Sequence, residues 1–243
     1  MNMLDDTQLA EALAKAAGEI ALDVRANDLL TGRELGDAGD ETVNAFLIPA
    51  LRRHRPEDAI LSEESEDTAA RLSASRVWII DPVDGTREFA EGREDWAIHV
   101  GLAVDGEAHA GAVALPALDL VLTSAPQARP AHPATGKIVV SRTRPPAEAE
   151  RVASALGLEL VGMGSAGAKA MAVVRGEADA YLHSGGQHEW DNCAPVAVAQ
   201  AHGLHCSRID GSPLRYNGRD TNLPDLLICR AELAEPILRA IAG

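Results

Sequence analysis

Residues 78 to 89 read WIIDPVDGTREF. An apolar run ends on Asp81, Pro82 intervenes, and Asp84 is followed at once by Gly85 and Thr86. Two carboxylates at the end of a buried strand repel each other, and a cation between them removes that repulsion. Other acids stand in similar places: Glu63 and Glu64 end the apolar stretch in AILSEES, and Asp191 opens a helical stretch in HEWDNCAP. Clustered oxygen donors suit a hard cation such as Mg²⁺. Pro82 fixes φ and has no N–H, so the short DPVD turn is stiff. It can aim Asp81, Asp84 and the Val83 carbonyl at one point. Gly85 lets a backbone come close. A short helix starting at Gly85-Thr86 would turn its free N–H groups toward an anion. Metal ions, a helix start and several carboxylates describe a phosphoryl site, with two ions roughly 3.5–4 Å apart around the attacking water and the leaving oxygen. Glu63 and Thr86 are the candidates to hold and deprotonate that water, and Asp84 joins them as a catalytic candidate.

Each residue alone has a plainer reading. Glu63 and Glu64 would usually be solvated acids, Asp-Pro and Asp-Gly usually mark turns, and Asp191 would usually cap a helix. The combination is what argues for a site.

These residues need elements to carry them. Residues 5–26 place Leu9, Leu13, Ala16, Ile20 and Val24 at helical spacing, with Asp5, Asp6 or Thr7 as cap. Residues 28–39 read as a glycine-bearing loop, and Asp40 as the N-cap of a helix carrying Val43, Phe46, Leu47, Ala50 and Leu51. Strands are expected at 59–65, 76–81, 96–104, 109–118 and 118–124, the middle pair as a hairpin around Asp105-Gly106. The proline- and alanine-rich stretch 125–136 reads as a boundary. Beyond it, strands at 137–141, 159–164, 178–183, 204–209 and 225–230 alternate with helices at 146–156, 166–175 and 190–202. That alternation predicts an α/β half behind an α+β half, divided as residues 1–128 and 129–243.

The 243 residues, 46% of them apolar, suffice for a large core. The net charge of -15 argues against nucleic-acid and anionic-membrane partners, though not against an anionic substrate held through cations. No apolar run nears the ~18 residues of a membrane span, and the acidic N-terminus does not read as a signal peptide. Cys193, Cys206 and Cys229 are scattered, as free thiols in a reducing compartment would be, so a cytoplasmic protein is expected. His183 and His188, separated by Ser-Gly-Gly, read as loop residues and not as zinc ligands. Trp78, Trp96 and Trp190 read as packing anchors.

LSEES, WIIDPVDGTREF and EWDNCAP together resemble the metal-binding motifs of the inositol monophosphatase superfamily, over nearly the whole chain. The resemblance implies a five-layer αβαβα sandwich and a Mg²⁺-dependent, Li⁺-sensitive phosphomonoesterase with two or three ions. It implies metal ligands at Glu63, Asp81, the Val83 carbonyl, Asp84 and Asp191, water activation by Glu63 and Thr86, and phosphate contacts at Gly85 and Thr86. GDAGDETVN, VSRTRPP and VGMGSAGAKAMAVVRGEADAYLH are similar to CysQ-type phosphatases of actinobacteria. That implies 3′-phosphoadenosine 5′-phosphate as substrate, AMP as product, and a link to sulfate assimilation. Inositol-1-phosphate and fructose-1,6-bisphosphate are the alternative substrates, and a possible homodimer is implied as well. Substrate contacts would come from Asp84, Gly85, Thr86, Ser165, Lys169 and Asp191. Lys169 is open between a contact to a second phosphate or base edge and a helix-surface lysine. Ser165 is open between a helix N-cap and a substrate contact. Asp40 is open between a third-ion ligand and the N-cap, the cap being the simpler. The chain departs from the relatives' pattern in carrying Arg33 in a short 28–40 loop and Cys193 and Pro195 after Asp191. A non-catalytic regulator on this fold would have lost one of the acids, and a glycosidase would need no anion cradle beside its carboxylates.

Overall fold

The computed structural model describes residues 4–125 and 132–243. Helix α1 (Asp6–Ala26) opens on Asp5, whose carboxylate accepts the Gln8 N–H at 2.8 Å while Gln8 Oε1 accepts the Asp5 N–H at 3.1 Å. This reciprocal capping box chooses Asp5 among the three candidate caps. Its stripe of Leu9, Leu13, Ala17 and Ala21 is buried.

Helix α2 runs over Gly32–His54, so residues 32–39 are helical and not a loop, and Asp40 is an interior residue and not a cap. The glycines explain the difference. A Cβ on Gly36 would lie 2.6 Å from Thr86 Cγ2, and one on Gly39 would lie 2.8 Å from Phe89 Cε1. Here glycine serves close helix packing, not a turn. Asp40 is thereby carried into the protein on the packed face.

The first sheet has strand order β1-β2-β3-β4-β5: β1 (Ala59–Ser62), β2 (Arg76–Asp84), β3 (Ala97–Val104), β4 (Glu107–Leu115) and β5 (Leu120–Thr123). β1 and β2 are parallel and the other pairs antiparallel, with β3 and β4 forming the expected hairpin. The short helix α3 (Thr86–Ala90) follows β2.

The second sheet has order β7-β6-β8-β10-β9: β6 (Lys137–Ser141), β7 (Glu159–Met163), β8 (Ala180–His188), β9 (His205–Ser207) and β10 (Asn222–Cys229). β6, β7 and β8 are parallel, and β10 runs antiparallel to β8 and β9. β8 continues through His183 to His188, which corrects the loop reading of both histidines. Gly185 and Gly186, at φ 107 and 90, bend the strand without ending it. Helices α4 (Ala147–Leu156), α5 (Ala166–Val174) and α6 (Glu189–Ala201) match the expected pattern, and α7 (Ala234–Ala242) was not foreseen.

The layers follow from packing. α1 and α2 cover the outer face of the first sheet, α5 and α6 lie between the sheets, and α4 and α7 cover the far face of the second. The result is the αβαβα sandwich. Half of the stretch 125–136, and the division at 128/129 with it, lies outside the described residues. Trp78 and Trp96 are fully buried, and Trp190 stacks on His188 with ring centres 4.6 Å apart. Among the described residues, no helix is long and apolar enough to cross a membrane.

Candidate active site

In a regular strand, Asp81 and Asp84 would face opposite ways, because side chains alternate and the two are three apart. The ladder breaks this. Asp81 pairs with His99 and Asp84 with Ala97, so β2 spends one residue more than β3 over the interval. The extra residue is a bulge at Pro82-Val83, a place where proline's missing donor is tolerated. It brings both carboxylates to one side. Asp191 enters from the first turn of α6, where its carboxylate accepts the His188 N–H. Ligand oxygens of Asp81, Asp84 and Asp191 lie within 4.8 Å of one another.

The cluster is strained electrically. Burial, together with Glu63, Asp84, Asp191 and Asp40, raises Asp81 well above the ordinary carboxylate range. Burial and then Asp84 raise Asp191 to about 6. Glu63, exposed beyond the end of β1, is not among the three residues whose ligand oxygens converge; loss of solvation and then Asp191, Glu64 and Asp84 raise it to about 7. Asp84 differs. Burial would raise it, but the His99 charge, the Ser165 hydroxyl and the Gly167 N–H together hold it at about 2. His99 Nε2 lies 3.1 Å from Asp84 Oδ2 in an ion-pair contact without hydrogen-bond alignment, and its Nδ1 meets the Trp190 carbonyl at 2.9 Å. The buried atoms Asp81 Oδ1 and Asp40 Oδ1 have no hydrogen-bond partner. Mutually repelling carboxylates with unpartnered buried oxygens fit a divalent cation, whose charge would restore their ordinary ionised state.

Thr86 lies at the start of α3 beside Gly85, which has φ 88. Its hydroxyl faces Asp40 Oδ2 at 3.0 Å and the Val83 carbonyl at 3.1 Å. Asp40 is raised to about 8, first by burial and then by Glu64 and Glu63. Of the two readings left open for Asp40, the cap is excluded by its place inside α2. His99 was missed, although a lone polar residue in the apolar run WAIHVGLAV was a visible signal.

Of the two roles left open for it, Ser165 fills that of the helix cap. It caps α5, accepting the Ala168 N–H at 3.0 Å, and it donates to Asp84. These bonds hold it at φ 37, a region that favours glycine. Asp84 also accepts the N–H groups of Ala166 and Gly167, so a first-sheet carboxylate is seated on the start of α5. Lys169 is only 5% exposed, which overturns the helix-surface alternative. Its Nζ donates to the Gly164 and Ser165 carbonyls and lies over the Tyr181 ring. Burial lowers it to about 8.

Beside the acids is a cavity of about 450 Å³ whose lining includes Asp84, Gly85, Ser165, Lys169, Asp191 and Arg144. Thr86 instead lines a neighbouring cavity, with Gly36 and Asp37. Arg142 at the cavity wall is neutralised by Glu88 at 2.6 Å and Glu91 at 2.8 Å. Arg144 has no acidic partner within ion-pair range among the described residues.

An αβαβα sandwich whose strand ends and helix starts converge on clustered carboxylates is the class that fold and site define. A profile of the inositol monophosphatase family matches residues 3–242, and the chain belongs to that family. Enzymes of the family are metal-dependent, and Asp81, Asp84 and Asp191 supply an acidic cluster for a cation here. The chain is similar to 3′-phosphoadenosine 5′-phosphate phosphatases of Mycobacterium leprae (50% identity, 98% of this chain and 93% of the relative) and Mycobacterium bovis (52%, 93% and 89%). It is 28% identical to the 3′(2′),5′-bisphosphate nucleotidase CysQ of Escherichia coli over 76% of this chain and 81% of the relative. Among solved structures, inositol monophosphatase from Anabaena superposes with a TM-score of 0.80 at 21% identity, covering 100% of this chain and 97% of that one. CysQ from Bacteroides thetaiotaomicron gives 0.78 at 22%, covering 94% and 98%. These two share the fold.

Proposed function

We propose that the chain is a Mg²⁺-dependent phosphomonoesterase that hydrolyses 3′-phosphoadenosine 5′-phosphate to AMP and phosphate. The observation that carries the reaction type is the convergence of Asp81, Asp84 and Asp191 at the edge of a cavity rimmed by Arg144, which has no acidic partner among the described residues. The mycobacterial relatives at 50% and 52% identity support the substrate.

Glu63, Asp81, the Val83 carbonyl, Asp84 and Asp191 would hold two or three Mg²⁺ ions. Bound divalent cations supply Lewis acidity and charge neutralisation at the phosphate. The chain's own residues do the rest. Glu63 accepts a proton from the attacking water at the open rim. Thr86 orients that water through its hydroxyl, whose own proton is directed to Asp40. Gly85 brings backbone close to the phosphate. Lys169 fixes the 164–165 carbonyls beside the cavity, and its remaining donor capacity is available to the substrate. Arg144 would meet the second phosphate. Hydrolysis of this nucleotide would connect the protein to sulfate assimilation. The thiols Cys193, Cys206 and Cys229 are unpaired, which suits a reducing cytoplasm.

Phosphate release with Mg²⁺ from 3′-phosphoadenosine 5′-phosphate, inositol-1-phosphate and fructose-1,6-bisphosphate tests the reading. A strong nucleotide preference, lost in Asp84→Asn, supports it. Preference for a sugar phosphate keeps the mechanism and discards the substrate. No release from any substrate by folded protein discards the enzyme reading in favour of a regulator.

A further inference from the structure

Two of the proposed metal ligands, Glu63 and Asp191, come from segments far apart in the chain. A buried network joins those segments. Arg71 lies in the turn Ala69–Ser73 and is 2% exposed. Its Nε and Nη2 grip both oxygens of Asp67 at 2.7 and 2.8 Å. Its Nη1 donates to Asn217 Oδ1 and to the Gly218 carbonyl, each at 2.9 Å. Asn217 answers through Nδ2, which donates to the Arg71 carbonyl at 2.9 Å and to the Ala74 carbonyl at 3.3 Å. On the other side of this turn, Glu189 is 1% exposed and accepts the N–H groups of Asn217 and Gly218, each at 2.7 Å. Asn217 adopts φ 62, which directs both N–H groups to one carboxylate.

We propose that this strut, running from Asp67 through Arg71 and the 217–218 turn to Glu189, fixes the separation of the Glu63 and Asp191 carboxylates and thereby sets the affinity of the site for its divalent cation. The proposal rests on the ligand assignment above. Asp67 is four residues beyond Glu63, and Glu189 is two residues before Asp191. The Glu63 segment is also tied at its near end, where Asn44 Nδ2 donates to the Glu64 carbonyl at 3.2 Å and Ser65 Oγ at 3.1 Å. With both ends held, the backbone between each ligand and the strut is short, residues 63–67 on one side and 189–191 on the other. The type of residue matters too. Burying a guanidinium and a carboxylate costs desolvation that well-packed apolar residues would avoid, so stability alone is a poor reason for them. A planar fork that fixes direction is what positioning requires. Neither Arg71 nor Glu189 lines the cavity; they are positioning residues.

The test is Mg²⁺ titration calorimetry on the full chain, with phosphate release measured in parallel at saturating Mg²⁺. Arg71→Lys keeps the charge and loses the fork; Glu189→Gln keeps the shape and loses an acceptor. Both are expected to raise the Mg²⁺ dissociation constant about tenfold or more, the usual effect of removing a group that orients a ligand, while kcat and substrate KM at saturating Mg²⁺ stay near wild type. If either fails to fold, Asp67→Asn frees Arg71 from the 43% exposed end and is expected to shift the constant the same way. Leu227→Ala, in the outer core of the second sheet, should lower Tm without changing Mg²⁺ affinity. Folded variants that bind Mg²⁺ within about twofold of wild type would overturn the strut, since a tenfold loss is expected. A wild-type chain that binds no Mg²⁺ would instead overturn the ligand assignment, and the strut with it.

Discussion

The Thr86 hydroxyl lies 3.0 Å from Asp40 Oδ2 and 3.1 Å from the Val83 carbonyl, so its one hydrogen has two acceptors within reach. The hydroxyl is thus held by two partners and is not free to rotate. Thr86→Ala removes this group without disturbing much volume. It is expected to lower kcat by about 10²-fold or more, the scale of a proton-transfer contribution, while Thr86→Ser keeps most of the rate. Steady-state phosphate release decides. A Thr86→Ala enzyme with wild-type kcat would leave the hydroxyl no role in water activation.

Removing the metal should make stability depend on pH. Asp40, at about 8, and Glu63, at about 7, have folded-state values above the ordinary 3.8 and 4.5. The folded state therefore binds these protons more tightly than the unfolded chain. Their contribution to stability is full below the ordinary values and is lost as pH rises through the folded ones. His183 and His205, lowered first by burial, act the other way, mainly below 6.5. Lys169, lowered to about 8, acts the other way only above that pH. Between pH 6.5 and 8 these three groups contribute little, and His99, which burial would lower but Asp84 raises, acts in the same direction as the acids. In EDTA, Tm is expected to fall across this window, and Mg²⁺ should abolish the fall and raise Tm at pH 8. A Tm in EDTA that is flat or rising in this window contradicts the site's electrostatics. EDTA should also abolish phosphate release.

Gly36→Ala separates two opposing effects. Alanine inside a helix is favoured over glycine by about 1 kcal/mol. The new methyl, however, would lie 2.6 Å from Thr86 Cγ2, and a β-branched side chain has few other rotamers to take. Thr86 must move, and its contact with Asp40 moves with it. The expected outcome is a kcat reduced about tenfold or more, in keeping with loss of a directed catalytic hydroxyl, with folding retained. Circular dichroism and kinetics together check this. Full activity would mean that the α2–α3 contact yields without disturbing the hydroxyl.

How far the sequence could be read follows from how local each signal was. Asp81, Asp84 and Asp191 sit on short motifs whose residue types state their chemistry, and the structure brings them within 4.8 Å. The helix of residues 6–26 and the strand 137–141 were legible because periodicity and end signals agreed. Residues 32–39 were not, because glycine marks a turn and a close helix contact equally, and only Thr86 and Phe89 on the facing helix distinguish the two. That one ambiguity tilted the reading of Asp40 toward a cap. The bulge between Asp81 and Asp84 was beyond local reading as well, since it is defined by the pairing with His99 and Ala97. Lys169 looked equally suited to surface and site, because burial is a property of the packed sheets and not of the stretch AGAKAM.

The proposed substrate carries two phosphates, and the cavity offers its cations unequally. Arg142 is held by Glu88 and Glu91, and Arg87 by Glu91 at 2.8 Å. Lys169 is committed to two carbonyls. Arg144 has no acidic partner among the described residues and is exposed, so Arg144→Gln should leave folding intact. A charge-assisted contact to phosphate contributes roughly 1.5–3 kcal/mol, so the change should raise KM for 3′-phosphoadenosine 5′-phosphate about tenfold or more. With 3′-AMP, which lacks the second phosphate, KM should barely change. The ratio of the two effects is the measurement. Equal losses on both substrates would place Arg144 at the reacting phosphate instead, and no loss on either would move the second phosphate's partner elsewhere on the wall, with Lys169 the next residue to change.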